Sequence, residues 1–314
     1  MIELIILIIG LVGLWIGSEL AINGAKNIAN HFRISSGFFG LTILSIGTSV
    51  PEIAVSIAGG IERISGIETS GIVIGNIVGS AANLLTILLG AIGLFGALWI
   101  SPKRLLRDGL MLIGSVILLA VLSLNGQFSI IDGYLLIAIY FIYLADLARE
   151  EKLYSKVTGR KPQLHLALDL LRLVGGLLLV VFASDHVVRN GIELANAWGV
   201  TQAFVGVFVV GLGTGLPELA ISISALRKKQ VQMSIGNLIG SNICDLLFAL
   251  GAGAVISGFV VSQQVIFYDL PALLIIASTV LFFFRRGYKL TKSESTILIL
   301  MYITYIGIRF WLFG

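Results

Sequence analysis

Two short blocks of the sequence combine residue types that suit the binding of a hard metal cation. They read GTSVPE at 47–52 and GTGLPE at 213–218, and each ends in a glutamate, Glu52 or Glu218. Both glutamates lie within long apolar runs that contain no Lys or Arg. A carboxylate at membrane depth costs at least a few kcal/mol unless it faces a cavity and is paired. The missing partner is most simply a cation from solution.

The residues around each glutamate add oxygen ligands of other kinds. Thr48 precedes Glu52 by four residues, so its hydroxyl shares a helix face with the carboxylate, and Ser45 and Ser49 lie on the adjoining strip. The prolines of the two blocks have no N–H and clash with the carbonyl four residues earlier. They therefore leave the carbonyls of Gly47 and Gly213 without a helical hydrogen bond. Unpaired carbonyls at membrane depth are tolerated where they line a cavity.

A second duplicated block follows each motif. It reads GNIVGS at 75–80 and GNLIGS at 236–241. The spans that contain it, the third and the eighth, add four more polar candidates: Ser80, Asn83, Ser241 and Asp245. Ser241 and Asp245 are four residues apart on one helix face. We expect the asparagines of the block, Asn76 and Asn237, to cap or pack their helices.

Taken together, the candidate cation ligands are carboxylates, hydroxyls, an amide and carbonyls. Six to eight oxygens at flexible distances suit Ca²⁺, and hydroxyls with carbonyls equally suit Na⁺. Neither glutamate motif contains Cys or His, which argues against Zn²⁺ or Cu⁺.

Apolar runs long enough to cross a bilayer must position these residues. Hydrophobic residues make up 57% of the 314 and charged residues only 12%, against about 25% charged in soluble domains. The predicted fold is an all-α integral membrane protein of about ten transmembrane helices, each roughly 20 residues long. The predicted spans lie near 2–24, 34–59, 71–98, 105–124, 128–148, 164–189, 200–226, 231–257, 264–284 and 293–313.

The distribution of basic residues predicts the orientation. Of the 21 Lys and Arg, seventeen fall in the loops after spans 1, 3, 5, 7 and 9, and three, Arg63, Arg189 and Arg309, fall on the other side. The positive-inside rule then places both termini outside a multi-pass protein of the cell membrane. The net charge of +4 follows this pattern and indicates no nucleic-acid partner. Cys244 is the only cysteine, so it forms no intramolecular disulfide.

The chain is predicted to be an internal duplication. Residues 17–52 align without gaps on 183–218 at an offset of 166, and the second blocks align at an offset of 161. Each copy contains five spans, and because five is an odd number, the second copy lies inverted in the membrane relative to the first. Transporters built from inverted repeats have their substrate sites at midplane, between the repeats. The expected organisation is a first transmembrane repeat at 1–148, a cytoplasmic basic loop at 149–163 and a second, inverted repeat at 164–314.

With these four blocks in this order, the sequence resembles the sodium/calcium exchangers of the cation/calcium antiporter superfamily, in their compact prokaryotic form. The resemblance covers essentially the whole chain. It implies ten helices, a central site made by the second and third helices of each repeat, and sliding of spans 1 and 6 past a core.

The resemblance also implies a set of cation ligands. The positions that match are Thr48, Ser49, Glu52, Ser80, Thr214, Glu218, Ser241 and Asp245, with Ser45 and Gly211 offering backbone carbonyls. There are two departures. Gly215 stands where the family usually has Ser, and the gapless counterpart of Asp245 is Leu84, so the amide of Asn83 either rotates into the site through a local bulge or is lost as a ligand.

The expected function is secondary antiport of Ca²⁺ against Na⁺ by alternating access, with no permanently bound cofactor. The expected partners are the two ions and the lipid bilayer, and the expected form is a monomer. The alternative is a proton-coupled Ca²⁺ (divalent cation) antiporter that uses the same carboxylates. A channel is a third possibility, and a steep dependence of transport on the Na⁺ gradient would distinguish the antiporter from it. An enzyme is not expected, because the sequence has no GxGD or HExxH motif.

Overall fold

The computed structural model describes residues 2–31, 44–96, 98–150, 166–227 and 231–313. Fifteen α-helices account for most of them. In the first half these are α1 (Ile2–His31), α2 (Leu44–Thr48), α3 (Val50–Ile64), α4 (Ser70–Asn83), α5 (Leu89–Phe95), α6 (Pro102–Leu122) and α7 (Ile130–Glu150). In the second half they are α8 (Leu166–Trp198), α9 (Gln202–Val205), α10 (Gly211–Thr214), α11 (Leu216–Arg227), α12 (Val231–Ile243), α13 (Leu250–Ser257), α14 (Leu270–Arg285) and α15 (Lys292–Phe313).

The predicted transmembrane architecture is confirmed. Among the described residues, nine helical segments are long and apolar enough to cross a membrane. The remaining predicted span, 34–59, begins outside the described residues and continues as α2 and α3. Three helices continue beyond the predicted ends of their spans: α1 to His31 instead of 24, α3 to Ile64 instead of 59, and α8 to Trp198 instead of 189. Helix α8 ends immediately before Gly199, whose φ of +65° is a conformation that favours glycine.

Turn chemistry ends several spans where the sequence predicts a break. Ser101 caps α6 by accepting a hydrogen bond from the N–H of Arg104 at 3.4 Å, and Pro102 occupies the first helical position, where a missing N–H costs nothing. Gly126 adopts a φ of +81°, a conformation that favours glycine. The predicted break at 35–37 lies outside the described residues.

Irregular turns recur at the spacing of the predicted duplication. A helix breaks at Ser49, between α2 and α3, and again at Gly215, between α10 and α11. A π-helical turn follows α4 at Leu84–Leu88, and another follows α12 at Cys244–Ala249. Two more π-helical turns lie in the second half, at Gly206–Val210 and Val265–Asp269. The inverted orientation of the two halves stays a prediction.

Four two-residue strands join loops of the first half to loops of the second. Strand β1 (Leu98–Trp99) pairs antiparallel with β4 (Lys289–Leu290), and β2 (Gln127–Phe128) pairs antiparallel with β3 (Phe259–Val260). Paired loops must lie on the same side of the membrane. Each pair joins two loops that the alternation of spans predicts to share a side.

Helices α1 and α8 pack closely along one another. Glycines permit this approach: a Cβ on Gly17 would lie 2.8 Å from the carbonyl oxygen of Gly176, and a Cβ on Gly176 would lie 2.5 Å from that of Gly17. Their buried side chains, with parts of α3 and α9, form a hydrophobic cluster that is separate from the larger one around α4, α12 and α14. The molecule therefore has two packed cores.

Candidate cation site

The two helix breaks place Glu52 and Glu218 in the first turns of α3 and α11. Each break falls two residues before a proline, as expected for a residue that cannot donate into the preceding turn. The N-terminus of a helix carries partial positive charge and favours an anionic side chain. Both glutamates are 0% exposed. The local sequence thus aims a buried carboxylate from each half at the interior.

Helices α4 and α12 bring the second set of predicted ligands to these breaks. The hydroxyl of Ser80 donates a hydrogen bond to Glu52 Oε1 at 3.0 Å. The hydroxyl of Ser241 lies 3.0 Å from that of Thr48, so the second half contacts the first. Asp245, at the start of the π-helical turn after α12, is also 0% exposed.

The three buried carboxyl groups have oxygens without partners. Glu52 Oε2 and both carboxylate oxygens of Glu218 and Asp245 accept no hydrogen bond among the described residues. The groups lie close enough to one another for their charges to interact. An unpaired charge in a dry interior is strongly unfavourable. Five buried carboxylate oxygens without hydrogen-bond partners among the described residues make this region the candidate cation site.

The remaining predicted ligands lie in the same region with different roles. The Ser49 hydroxyl is buried and has no hydrogen-bond partner among the described residues, and Gly211 is buried at the start of α10. The Ser45 carbonyl is already engaged: it accepts the Ser49 N–H at 3.1 Å and the Thr48 hydroxyl at 3.2 Å. The Gly213 carbonyl, expected to be free, accepts the N–H of Gly215.

The two departures from the family pattern are neighbours in space. A Cβ on Gly215 would lie 3.2 Å from Nδ2 of Asn83. Asn83 is 1% exposed, and its Oδ1 accepts no hydrogen bond among the described residues. Asn83 therefore lies next to where a serine side chain at position 215 would extend, and its role as a ligand stays a prediction.

The π-helical turns explain why Asn83 and Asp245 are not at equivalent positions. The first turn begins at Leu84, directly after Asn83, whereas the second begins at Cys244, one residue before Asp245. Asn83 is therefore presented by the last α-helical turn of α4, and Asp245 by the π-helical turn itself. The two side chains therefore precede and lie within their π-helical turns, respectively.

Asn76 and Asn237, which the sequence predicts to cap or pack the helix entry, form hydrogen bonds to threonines of the opposite half that the sequence alone does not predict. Both are 0% exposed. Asn76 Oδ1 accepts a hydrogen bond from Thr214 at 2.9 Å, and Asn237 Oδ1 accepts one from Thr48 at 3.4 Å. Their duplication beside the ligand serines is the signal in the sequence that could have found them.

The candidate cation ligands combine carboxylates with hydroxyls and an amide. Among the described residues there is no group of three or more His, Cys, Asp or Glu side chains that could hold a metal by themselves. The carboxylates share the region with the hydroxyls of Ser49, Thr48 and Thr214 and the amide oxygen of Asn83. Mixed oxygen ligands of this kind suit Ca²⁺ and Na⁺ rather than a soft metal.

Fold and site together define a multi-pass membrane protein with a buried, carboxylate-rich centre lined by oxygen ligands. The sequence model of one protein family, described as sodium/calcium exchanger protein, matches residues 2–147 and 168–311. The chain therefore belongs to that family of ion antiporters. The residues between the two matched segments include the predicted central loop.

Individual relatives match over almost the full length. The chain is 27% identical to "Sodium/calcium exchanger MaX1" of Methanosarcina acetivorans, covering 99% of each protein. It is 30% identical to "Uncharacterized membrane protein MJ0091" of Methanocaldococcus jannaschii, covering 96% of this chain and 95% of the relative. Its structure resembles that of the sodium-calcium exchanger NCX_Mj soaked with Na⁺ and Sr²⁺, with a TM-score of 0.69 at 27% identity over 97% of both chains.

Proposed function

We propose that this antiporter moves Ca²⁺ in exchange for Na⁺, at a single site formed by Glu52, Glu218 and Asp245 with the surrounding hydroxyls and carbonyls. The observation that carries the proposal is the set of five buried carboxylate oxygens without partners among the described residues, contributed by both halves of the chain. The family and the names of its relatives supply the identity of the ions.

Competition for these oxygens accounts for exchange. Three carboxylates that repel one another in a dry interior need a positive load, and one Ca²⁺ or several Na⁺ can provide it. The site cannot hold both loads together without an excess of buried charge. Loading from one side therefore displaces the ions that came from the other.

Alternating access is the proposed way of opening the site to each side. Helices α1 and α8 pack along one another through facing glycines and supply most of one hydrophobic cluster, which suits a pair that slides as a unit past the rest. The proposed organisation has two inverted repeats, 1–148 and 164–314, joined by a basic cytoplasmic loop at 149–163. We infer external termini from the distribution of Lys and Arg.

Proton coupling is the second candidate, because one observation favours it. Gly215 has no hydroxyl, and the neighbouring side chain, Asn83, provides an amide instead of a carboxylate. These changes weaken the ligand set available to Na⁺, and buried carboxyl groups can take up protons instead. The same residues would then bind Ca²⁺ and H⁺ in turn.

Tracer Ca²⁺ uptake into proteoliposomes separates the two candidates. The Na⁺ gradient and the pH gradient are imposed separately, with the membrane potential clamped. Uptake driven by the Na⁺ gradient at equal pH is the expected result. Uptake that follows only the pH gradient would establish the proton-coupled antiporter instead, and uptake without either gradient would indicate a channel.

A further inference from the structure

Two buried asparagines form hydrogen bonds that cross between the halves of the chain. Asn76, on α4, accepts from the hydroxyl of Thr214 on α10 at 2.9 Å. Asn237, on α12, accepts from the hydroxyl of Thr48 on α2 at 3.4 Å. The two asparagines occupy equivalent places in the duplicated block, so the same contact is made twice, each time with the threonine of the other half.

Each threonine in turn lies beside a glutamate of the half that supplies its asparagine. Thr214 neighbours the Glu52 carboxylate, and Thr48 neighbours that of Glu218. The order is therefore asparagine, opposite threonine, own glutamate, on both sides of the site. All six side chains are 1% exposed or less.

The chemistry of a hydroxyl gives this arrangement a purpose. A threonine has one proton to donate and lone pairs with which to accept or to bind a cation. If the proton is donated to the asparagine oxygen, the lone pairs are left for a cation held by the neighbouring glutamate. Without that acceptor, the threonine donates to the glutamate itself, which occupies a carboxylate lone pair and directs a proton toward the cation.

We propose that Asn76 and Asn237 are positioning residues that orient the threonine hydroxyls of the opposite repeat for cation binding. The inference rests on the proposed function, since it assigns these residues a role at the proposed site. The two contacts are unequal. Thr48 can also donate its proton to the Ser45 carbonyl at 3.2 Å or to the Ser241 hydroxyl at 3.0 Å, so it depends less on Asn237. Asn76 should therefore have the larger effect on cation binding.

A purely structural role predicts something different. Asn237 Nδ2 also donates to Ser222 on α11, at 3.4 Å, and such a bond holds helices together whatever the threonines do. Asn242 offers a matched control on the same helix: it is 0% exposed, but its amide donates to the Leu238 carbonyl of its own helix at 2.8 Å. Loss of Asn242 alters packing without altering the threonines.

The test is a set of double-variant comparisons on purified, detergent-solubilised full-length protein. Calorimetry measures the dissociation constant of Ca²⁺, and titration gives the Na⁺ concentration that halves Ca²⁺ binding. Asn76→Leu is introduced into the wild type, into Thr214→Val and into Thr48→Val. Asn237→Leu is introduced into the same three backgrounds, and Asn242→Leu serves as the control.

Asn76→Leu should weaken cation binding roughly fivefold in the wild type, the loss expected when one buried hydrogen bond fails to orient its donor. The factor should persist in Thr48→Val and fall below about twofold in Thr214→Val, where there is no hydroxyl to orient. Asn237→Leu should show the reverse dependence with a smaller factor. Asn242→Leu should leave both binding constants unchanged.

Equal factors in the two threonine backgrounds, or no effect of Asn76→Leu, would overturn the inference while leaving the proposed function intact. A wild type that binds Ca²⁺ without displacement by Na⁺ would overturn the proposed function, and the inference with it. If Asn76→Leu does not fold, Asn76→Ser keeps a polar group that is too short to reach Thr214, and the same factors apply.

Discussion

Buried carboxylates in this protein fall into two kinds according to whether the chain itself supplies a cation. Asp269 is 0% exposed, and Arg309 pairs with it through Nε at 2.8 Å, while Tyr305 donates to the same carboxylate oxygen at 2.8 Å. Asp108 is similarly held by Arg107 and Tyr143. Glu218 and Asp245 receive no such partner among the described residues. A carboxylate left open in this way is available to an ion that comes and goes.

Neutralising one carboxylate of each kind should have opposite effects on stability. Asp245→Asn removes repulsion from the empty site, so its melting temperature without Ca²⁺ should rise, and the additional rise on adding Ca²⁺ should shrink. Asp269→Asn leaves Arg309 buried without its counter-charge and should destabilise the protein by about 3 kcal/mol. Differential scanning fluorimetry with and without Ca²⁺ measures both. Destabilisation of the cation-free protein by Asp245→Asn, with the Ca²⁺ response preserved, would contradict this division.

Asn83 and residue 215 should behave as one unit. Asn83→Ala removes an amide oxygen and should raise the Na⁺ concentration that halves Ca²⁺ binding by roughly fivefold, the scale of one lost ligand contact. Adding Gly215→Ser should partly reverse this loss, because the serine then enters space vacated by the amide. In the wild-type background the Cβ of the same serine meets Asn83 Nδ2 at 3.2 Å, so the substitution should bring little gain. A serine that has the same effect with and without Asn83 would show that the two positions are independent.

At the scale of the elements, the sequence predicts the helix breaks but not the widened turns. Pro51 and Pro217 mark the breaks because a missing N–H is a strong local signal, and the breaks lie at Ser49 and Gly215. The π-helical turns leave no comparable mark, since a single extra residue per turn barely alters an apolar pattern. For the same reason, the sequence leaves two alternatives for Asn83: its amide reaches the site, or it is lost as a ligand. Counting basic residues assigns Arg309 to the outer side, within the tenth predicted span, but does not predict that it is fully buried on α15 and paired with Asp269.

Restoring an N–H at the first break should close it. Pro51→Ala permits a hydrogen bond to the Gly47 carbonyl and a more continuous helix through α2 and α3. Because the restored N–H can add one hydrogen bond across the break, worth about 1 kcal/mol, the melting temperature should rise slightly. Cation binding should weaken by roughly tenfold as Glu52 loses the helix N-terminus beneath it, which corresponds to the upper range of that interaction. Tighter Ca²⁺ binding in calorimetry would rule out this role of the break.

At the scale of the whole molecule, two polar bonds of α8 differ in what they connect. At one end Asn27 donates to Asp169 at 2.8 Å, which joins α1 to α8. Toward the other end of α8, Arg189 donates to Glu62 of α3 at 2.7 Å. The first bond lies within the pair that we propose to move, and the second connects that pair to a helix of the site. Their different places give a direct way to test the proposed motion.

Cross-linking should distinguish the two bonds. In a Cys244→Ala background, cysteines introduced in place of Glu62 and Arg189 and joined by a short bifunctional thiol reagent should stop Ca²⁺ transport, because α8 is then tied to α3. Calorimetric Ca²⁺ binding should remain. Cysteines in place of Asn27 and Asp169, joined in the same way, should leave transport largely intact, since α1 and α8 move together. Full transport in the first cross-linked variant would exclude relative motion of these helices.

Competition of Ca²⁺ and Na⁺ for the same three carboxylates can be measured by Ca²⁺ titration of purified protein at a series of Na⁺ concentrations. The apparent Ca²⁺ dissociation constant of the wild type should rise steeply with Na⁺, more than in proportion, because several Na⁺ replace one Ca²⁺. Glu52→Gln and Glu218→Gln should abolish Ca²⁺ binding, while Glu193→Gln, the same change at an exposed position of α8, should not. Ca²⁺ binding that is indifferent to Na⁺, or that survives in both glutamine variants, would contradict the account.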